Sequence, residues 1–178
     1  MPYPKAILNS VSLNRAVSRI AHEIAERHEK GEHVAIVGIQ RGGVHLAGRL
    51  KTALEGIWHH PVPLGLLDVS MHRDDHSERL PQNIQPTSIT FDPTGKTVIL
   101  VDDVLFSGRT ARAALDALTD LGRPKAIQLA VLIDRGSREL PIKADFVGKE
   151  ISTTLQERVD VHLRENGAEA DGVSVVKV

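Results

Sequence analysis

The chain has 178 residues, a length that fits one globular domain, residues 1–178, with a core large enough to be stable without covalent cross-links. It contains no cysteine, which excludes disulfides, thiolate metal sites and cysteine nucleophiles. The formal net charge is -1, so any nucleic-acid site has to be a local basic patch.

No stretch approaches the roughly 20 apolar residues of a membrane span, and the N-terminal segment lacks the apolar run and cleavage site of a signal peptide. We therefore expect a cytoplasmic protein with no membrane partner. The first predicted helix has apolar residues at three- and four-residue steps from Leu13 to Ile24. Asn9 or Ser10 is expected to cap its start, and Gly31 to end it.

The next segments alternate between strand and helix patterns. An apolar run at residues 33–39 predicts a strand, which leads through a glycine turn at residues 40–43 into a helical pattern at residues 44–54. Residues 62–69 predict another strand. The polar, proline-containing stretch at about residues 71–95 is long for a connection, so we expect a flexible lid loop, with Ile89 and Phe91 on a short strand.

The strongest strand pattern lies at residues 96–101, where continuous apolar character is typical of a parallel sheet buried on both faces. A helix at residues 110–121 and a strand at residues 126–133 follow. This alternation predicts an α/β fold with a mostly parallel central sheet flanked by helices. The tail, about residues 158–178, is expected to form an antiparallel hairpin at the sheet edge.

Chemistry-bearing residues are concentrated in the segment VILVDDVLFSGRTARAAL, residues 98–115. Asp102 and Asp103 come at the carboxyl end of the predicted strand, where ligands collect in open α/β sheets. Their carboxylates can accept hydrogen bonds from vicinal hydroxyls or reach a hard cation such as Mg²⁺, directly or through its water. Residues 107–110 then offer backbone N–H groups, hydroxyls and a helix N-terminus, which favour a phosphate.

A plainer interpretation remains open for each residue taken singly. The aspartates could solvate a strand end, and Ser107 could be an ordinary helix cap. Together they favour a site, because adjacent carboxylates raise each other's pKa unless hydroxyls, cations or donors lie nearby.

An apolar strand, two acidic residues and a Ser-Gly-x-Thr loop make residues 98–110 similar to the type I phosphoribosyltransferases, whose fold we therefore expect. The resemblance implies that Asp102 and Asp103 bind the ribose hydroxyls of 5-phosphoribosyl-1-pyrophosphate (PRPP) and Mg²⁺. It implies that the following residues hold the nucleotide and its 5′-phosphate: Val104, Leu105, Phe106, Ser107, Gly108, Arg109 and Thr110.

Further stretches, residues 18–27, 67–75 and 121–149 and the terminal hairpin, resemble the subfamily of bifunctional pyrimidine operon attenuators and uracil phosphoribosyltransferases. This resemblance implies formation of UMP and pyrophosphate from uracil and PRPP. It also implies binding of pyrimidine operon leader mRNA under control of UMP or UTP, by a homodimer or a higher homo-oligomer.

Positive groups are needed on the departing pyrophosphate, and the best candidates are Arg41 with Gly42 in the glycine turn and Arg73 in the lid. The subfamily usually has Thr-Arg-Gly at that turn, so the arginine of this chain comes one position earlier. The base is expected beside Ile133, Asp134 and Arg135. The positions that correspond to RNA-binding residues are Ser18, Arg19, His22, Arg27, Arg138, Lys143 and Lys149.

Two other functions remain open at this point. One is an RNA-binding regulator with little or no catalytic activity, in which the enzymatic site serves as a UMP sensor. The other is a phosphoribosyltransferase for another base, such as hypoxanthine or guanine, which the motif at residues 98–110 does not exclude.

Overall fold

The computed structural model describes residues 4–74 and 86–178. In chain order the elements are β1 (Lys5–Leu8), α1 (Ser10–Arg27), β2 (Val34–Ile39), α2 (Gly43–Trp58), β3 (Leu64–Leu67), β4 (Thr97–Leu105), α3 (Arg109–Leu121), β5 (Ala126–Asp134), β6 (Phe146–Glu150), β7 (Glu157–His162) and β8 (Gly172–Lys177). Within the described residues, no helix combines the length and apolar character needed to cross a membrane.

The central sheet has five strands in the order β3-β2-β4-β5-β6, and all its pairings are parallel. Side chains of β4 alternate between two cores: Ile99 and Val101 pack with α1 and α2, whereas Val98 and Leu100 pack with α3. This alternation is the period-2 geometry of a strand covered on both faces. The predicted α/β class with helices on both sides is confirmed.

Helix α1 runs from the carboxyl end of the sheet to its amino end. Asn9 caps it by accepting a hydrogen bond from the Ser12 N–H at 2.9 Å, as one of the two predicted caps. The helix ends at Arg27, before the predicted Gly31, and His28 Nε2 lies 2.7 Å from Gln128 at the start of β5. The N-terminal end of α1 therefore faces the side where the strands end.

The C-terminal hairpin is confirmed, but its predicted place at the edge of the central sheet is wrong. Strands β7 and β8 pair with β1 in a separate antiparallel sheet of order β1-β8-β7. The central sheet instead ends at β6, whose Val147 and Gly148 carbonyls accept hydrogen bonds from the Arg19 guanidinium of α1. Strand β1 is too short to show a period-2 pattern, so the sequence did not reveal it.

The long connection after β3 is only partly described. It begins with a 3-10 turn at Ser70–His72, and Ser88 forms an isolated bridge with Leu66 of β3. Ile89 and Phe91 lie in no strand, in contrast to the prediction, and pack against the core on the α3 side. Residues 75–85, the centre of the predicted lid, lie outside the described residues.

An ion-pair cluster joins the second sheet to the helices. Arg49 of α2 makes paired hydrogen bonds with Glu165, at 2.8 and 2.6 Å, and with Asp171, at 2.8 and 3.0 Å. Asp171 also accepts a hydrogen bond from the Arg164 N–H, and its carbonyl accepts one from the Ser10 hydroxyl at the start of α1. Both acids lie in the β7–β8 connection, so Arg49 holds the second sheet at the carboxyl end of the first.

We predict that Arg49→Met lowers the free energy of unfolding by about 2 kcal/mol, because it leaves the largely buried Asp171 without its cation. Arg49 lowers the pKa of Glu165 and Asp171, so its contribution is present above their ordinary values of 4.5 and 3.8 and is lost as the pH falls through the folded-state values. Urea unfolding at pH 7 and pH 3 tests this. Arg158→Gln, which removes an exposed arginine that pairs with Asp160, is the matched control and should cost less than about 0.5 kcal/mol. An equal loss in both variants would contradict the prediction.

Candidate active site

The paired aspartates lie within β4, which continues past them to Leu105, further than the predicted strand. Asp102 lines a cavity of about 510 Å³ at the carboxyl end of the sheet. Asp103 lies on the other side, against the glycine turn: a Cβ atom at Gly42 would stand 2.3 Å from its Cγ. The two carboxylates thus face the two loops to which the sequence analysis assigned phosphate and pyrophosphate.

Burial raises the pKa of Asp102 well above its ordinary value, and the nearby charge of Asp103 raises it further. The Asp103 N–H, which donates a hydrogen bond to Asp102 Oδ1 at 2.9 Å, and the charge of Arg73 act in the opposite direction. The effect of burial dominates, because few donors compensate a carboxylate that has been removed from water. Burial therefore favours the neutral form of Asp102, whereas a cation or hydroxyl donor would favour the ionised form.

The loop after β4 is shaped like an anion site. Gly108 has a φ of 92° and immediately precedes α3, and as the residue at the N-cap position it has no side chain with which to cap that helix. The Arg109 N–H is 3.3 Å from the Ser107 hydroxyl, a long and weak contact. The first amides of α3 and the positive end of its dipole consequently face the cavity that Ser107 and Thr110 line.

The turn after β2 approaches the end of β4 closely. A Cβ atom at Gly43 would lie 1.9 Å from the Val101 carbonyl oxygen, so only glycine fits there. The peptide bond between Gln40 and Arg41 is cis, and Arg41 is exposed. The predicted pyrophosphate turn is thus beside Asp103, while Arg41 is not among the residues that line the large cavity.

Arg73 lies inside the cavity and comes from the 3-10 turn that follows β3. Its Nη1 donates a hydrogen bond to the Thr110 hydroxyl at 3.1 Å, and its charge acts on Asp102. Two further cavity residues, Asp74 and Glu139, were missed by the sequence analysis. Both fall in stretches that resemble the subfamily, Asp74 in residues 67–75 and Glu139 in residues 121–149, and that resemblance was the available signal.

The three predicted base-binding residues lie next to this cavity rather than in it. The Ile133 side chain is fully buried in the core, so only its main chain could meet a ligand. Asp134 lines a neighbouring cavity of about 420 Å³ with Arg138 and Ser152. Arg135 is 7% exposed and stacks on Phe106, with 4.1 Å between the guanidinium carbon and the ring centre. Phe106 also lines the cavity that contains Asp102, so it links Arg135 to that cavity.

The candidate site offers some, but not all, of the oxygen ligands that a magnesium ion needs. In the part of the chain that the structure describes, no group of three or more His, Cys, Asp or Glu residues could hold a metal by itself. Asp102 and Asp103 offer carboxylate oxygens, and Mg²⁺ is commonly bound by one or two carboxylates together with substrate phosphates and water. The donor set therefore fits an ion that arrives with a phosphorylated substrate.

Four of the predicted RNA-binding residues share α1, where Ser18, Arg19, His22 and Arg27 are all exposed. His22 Nδ1 is 2.8 Å from the Ser18 carbonyl oxygen, so in neutral His22 this nitrogen carries the proton and Nε2 is an acceptor. Arg27 stacks on Phe146, with 4.6 Å from its guanidinium carbon to the ring centre. The exposed face of α1 thus offers one hydrogen-bond acceptor, Nε2 of neutral His22, which could meet the edge of a base, and the cations Arg19 and Arg27.

The other three are spread over the sheet edge and the loop after β5. The contact of Arg19 with the Gly148 carbonyl brings Lys149 close to α1, and Lys143 and Lys149 are both exposed. Arg138 is engaged elsewhere, because its guanidinium donates to the Asp134 carboxylate and to main-chain carbonyls that include that of Phe106. Its binding of RNA stays a prediction, and its contacts in the structure brace the loop after β5.

We predict that Asp102→Asn raises the melting temperature of the unliganded protein, and more so as the pH rises. The pKa of Asp102 is higher in the folded state than its ordinary value of 3.8, so its contribution to stability is lost as the pH rises from 3.8 through the folded-state pKa. Thermal unfolding between pH 5 and pH 9 measures the effect. Asp116→Asn, at an exposed position of α3, is the control and should change little at any pH. A difference between Asp102→Asn and the parent protein that does not grow with pH would contradict the prediction.

The fold is similar to that of purine phosphoribosyltransferases of known structure. A Trypanosoma cruzi hypoxanthine phosphoribosyltransferase, solved as a ternary substrates complex, superposes with a TM-score of 0.76 at 18% identity and covers 97% of this chain and 95% of its own. A Bacillus anthracis hypoxanthine-guanine phosphoribosyltransferase has a TM-score of 0.72 at 21% identity and covers 99% of both chains. At these identities the likeness shows the fold alone.

Sequence comparison gives a closer relationship. A profile of the phosphoribosyl transferase domain matches residues 5–166. Proteins named bifunctional protein PyrR are 55% identical in Roseiflexus, over 97% of this chain and 95% of the relative, and 54% identical in Chloroflexus aurantiacus, over 98% and 94%. The relative of that name in Deinococcus radiodurans is 52% identical over 100% of this chain and 96% of its own length. The chain therefore belongs to the phosphoribosyltransferase family and, within it, to the bifunctional PyrR proteins.

Proposed function

We propose that this protein transfers the phosphoribosyl group of PRPP to uracil, giving UMP and pyrophosphate, and that UMP in turn controls its binding to the leader mRNA of pyrimidine genes. One observation carries the enzymatic part. The cavity of about 510 Å³ unites a carboxylate, Asp102, with an uncapped helix N-terminus and an arginine, Arg73. A carboxylate can bind ribose hydroxyls, a helix N-terminus can bind a phosphate, and an arginine can bind a negatively charged leaving group.

Different residues of the chain bind different parts of the reacting substrate. The bond from the anomeric carbon to the pyrophosphate oxygen breaks, a bond to uracil nitrogen forms, and the uracil N–H proton is released. Asp102 and Asp103 accept hydrogen bonds from the ribose hydroxyls, while the amides after Ser107 donate to the 5′-phosphate. Arg41 and Arg73 donate to the departing pyrophosphate, whose negative charge grows in the transition state.

When Mg²⁺ is bound, it supplies neutralisation of the pyrophosphate charge. Asp102 and Asp103 would hold it together with oxygens of the substrate. Because burial raises the pKa of Asp102, binding of PRPP with Mg²⁺ to its ionised form is expected to strengthen as the pH rises.

The base is proposed to lie near Phe106, between the large cavity and the loop at residues 134–136. The Asp134 carboxylate accepts a hydrogen bond from the Gly136 N–H, which orders that loop, and Arg135 reaches across to Thr153. Main-chain groups of such a loop can match the carbonyl and N–H groups of uracil. The choice of uracil rests on the likeness to the bifunctional PyrR proteins.

We expect release of pyrophosphate from PRPP and Mg²⁺ with uracil, and none with hypoxanthine, guanine, adenine or orotate supplied separately. Asp103→Asn should lower kcat/KM by about 100-fold, because it loosens the substrate at both the ribose and the glycine turn. Asp116→Asn is the matched control and should keep parental activity. Turnover with only hypoxanthine or guanine would show that this purine, and not uracil, is the acceptor base. Absence of turnover with every base would refute the enzymatic proposal.

The regulatory part rests on the exposed face of α1 and its proximity to Lys149. Cations there can contact phosphates, and His22 can stack on or hydrogen-bond to an unpaired base, as RNA loops require. A dimer would place two such faces on one particle. The net charge of -1 keeps attraction local to this face, so binding depends on a specific site.

We expect leader RNA to bind more tightly with UMP than without it, with an affinity that falls steeply as salt rises. Lys149→Ala should weaken binding and reduce the slope of log affinity against log salt by about 1, while leaving pyrophosphate release unchanged. Lys125→Ala, at an exposed position at the amino end of the sheet, is the control and should change neither. Binding that is indifferent to UMP and to salt would contradict the regulatory proposal.

A further inference from the structure

The short segment after β3, Ser70–Asp74, contacts α3 through three consecutive residues, and we call it the stem. His72 Nε2 is 3.0 Å from the Asp120 carboxylate near the end of α3. Arg73 donates to the Thr110 hydroxyl at the start of α3. Asp74 Oδ2 accepts hydrogen bonds from Arg109 Nη1 at 3.1 Å and from Arg112 Nη1 at 3.2 Å.

The contacts of Asp74 bridge two arginines, because one carboxylate oxygen accepts a hydrogen bond from each of them. Arg109 belongs to the phosphate loop itself, as the variable residue of Ser-Gly-x-Thr, and its backbone begins α3. Its Nε donates to Glu139 of the loop after β5 at 2.6 Å. A single guanidinium therefore links the stem, the phosphate loop and the loop beside the proposed base site.

From this geometry we infer that Asp74 is a positioning residue: its carboxylate, held by Arg109 and Arg112, keeps the adjacent Arg73 inside the cavity, and Glu139 orients Arg109. We call these four residues, Asp74, Arg109, Arg112 and Glu139, the stem clamp. The inference rests on the proposed function, in which Arg73 donates to the leaving pyrophosphate. It assigns to Arg109 a task separate from contact with the 5′-phosphate.

The exposure of these side chains indicates how much the clamp contributes to the stability of the fold. The side chains of Asp74, Arg109 and Arg112 are 43%, 31% and 44% exposed. Ion pairs at such positions contribute little to folding, since water and salt screen them. The clamp can consequently open and re-form during turnover, and its loss should alter the position of Arg73 without altering the stability of the fold.

The test compares Asp74→Asn, which keeps the shape but removes the charge, with Asp74→Glu, which restores the charge. Asp74→Asn should raise KM for PRPP or lower kcat such that kcat/KM falls about tenfold, because a misplaced donor loses much of its effect. Its melting temperature should equal that of the parent protein. Asp74→Glu should recover most of the activity, and high salt should shrink the difference between parent and Asp74→Asn.

Asp116→Asn is the matched control, because Asp116 is the second partner of Arg112, at 3.3 Å, but lies on α3 and does not contact the stem. It should leave kcat, KM and melting temperature unchanged. Parental kinetics in Asp74→Asn, or an equal loss in Asp116→Asn, would overturn the clamp.

Amide hydrogen exchange of the unliganded proteins provides a readout that needs no catalysis. Exchange at residues 72–74 should be faster in Asp74→Asn than in the parent protein and the control, and unchanged exchange would overturn the clamp. If the parent protein turns over no base, the enzymatic proposal fails, and the exchange data still decide whether Asp74 holds the stem.

Discussion

The position of β4 at the centre of the parallel sheet is the constraint on which the candidate site depends. Its hydrogen bonds run to β2 on one side and to β5 on the other, and residues 98–101 are buried on both faces. A shift by one residue would exchange the side chains that face the two cores, so the register is strongly determined. Asp102 and Asp103 are thereby held at a fixed height, just past the last paired residue of β2, whereas β5 continues beside β4 to Asp134.

Close packing at that height brings together the glycine turn after β2 and the loop after β4. Gly43 lies so near the Val101 carbonyl that the turn after β2 packs directly on β4, and Gly42 leaves room for the Asp103 carboxylate. The left-handed Gly108 then turns the chain into α3 without a side-chain cap. These glycines allow backbone approaches that a Cβ atom would prevent, which is the reason the glycine turn and the loop at residues 107–110 can flank one pair of acids.

The stability of the fold and the binding of a ligand favour opposite charge states of the Asp102 carboxylate. Removal of its carboxylate from water raises its pKa and disfavours the charged form, whereas hydroxyls and cations favour that form. Above the ordinary pKa of an aspartate this shift lowers the stability of the fold, and in the proposed function ligand binding offsets that cost. Stability comes from elsewhere, from the two apolar cores and from the cluster around Arg49 that joins the second sheet to α2.

Much of this protein could be predicted from its sequence by itself. Apolar runs and three- to four-residue periodicities determined the α/β class, most helices and strands and the place of the acidic pair, because these features depend on neighbours close in the chain. Resemblance of residues 98–110 to a known motif indicated the family, which the comparisons confirmed.

Only the tertiary structure decided the rest. The separate sheet formed by β1 with the hairpin, the opposite orientations of Asp102 and Asp103, and the bridge from Arg109 to Asp74 and Glu139 all join residues far apart in the chain. Such contacts leave no trace in the local periodicity and spacing of the sequence. They follow from which strand edges and charged side chains the packed sheet brings within hydrogen-bonding distance.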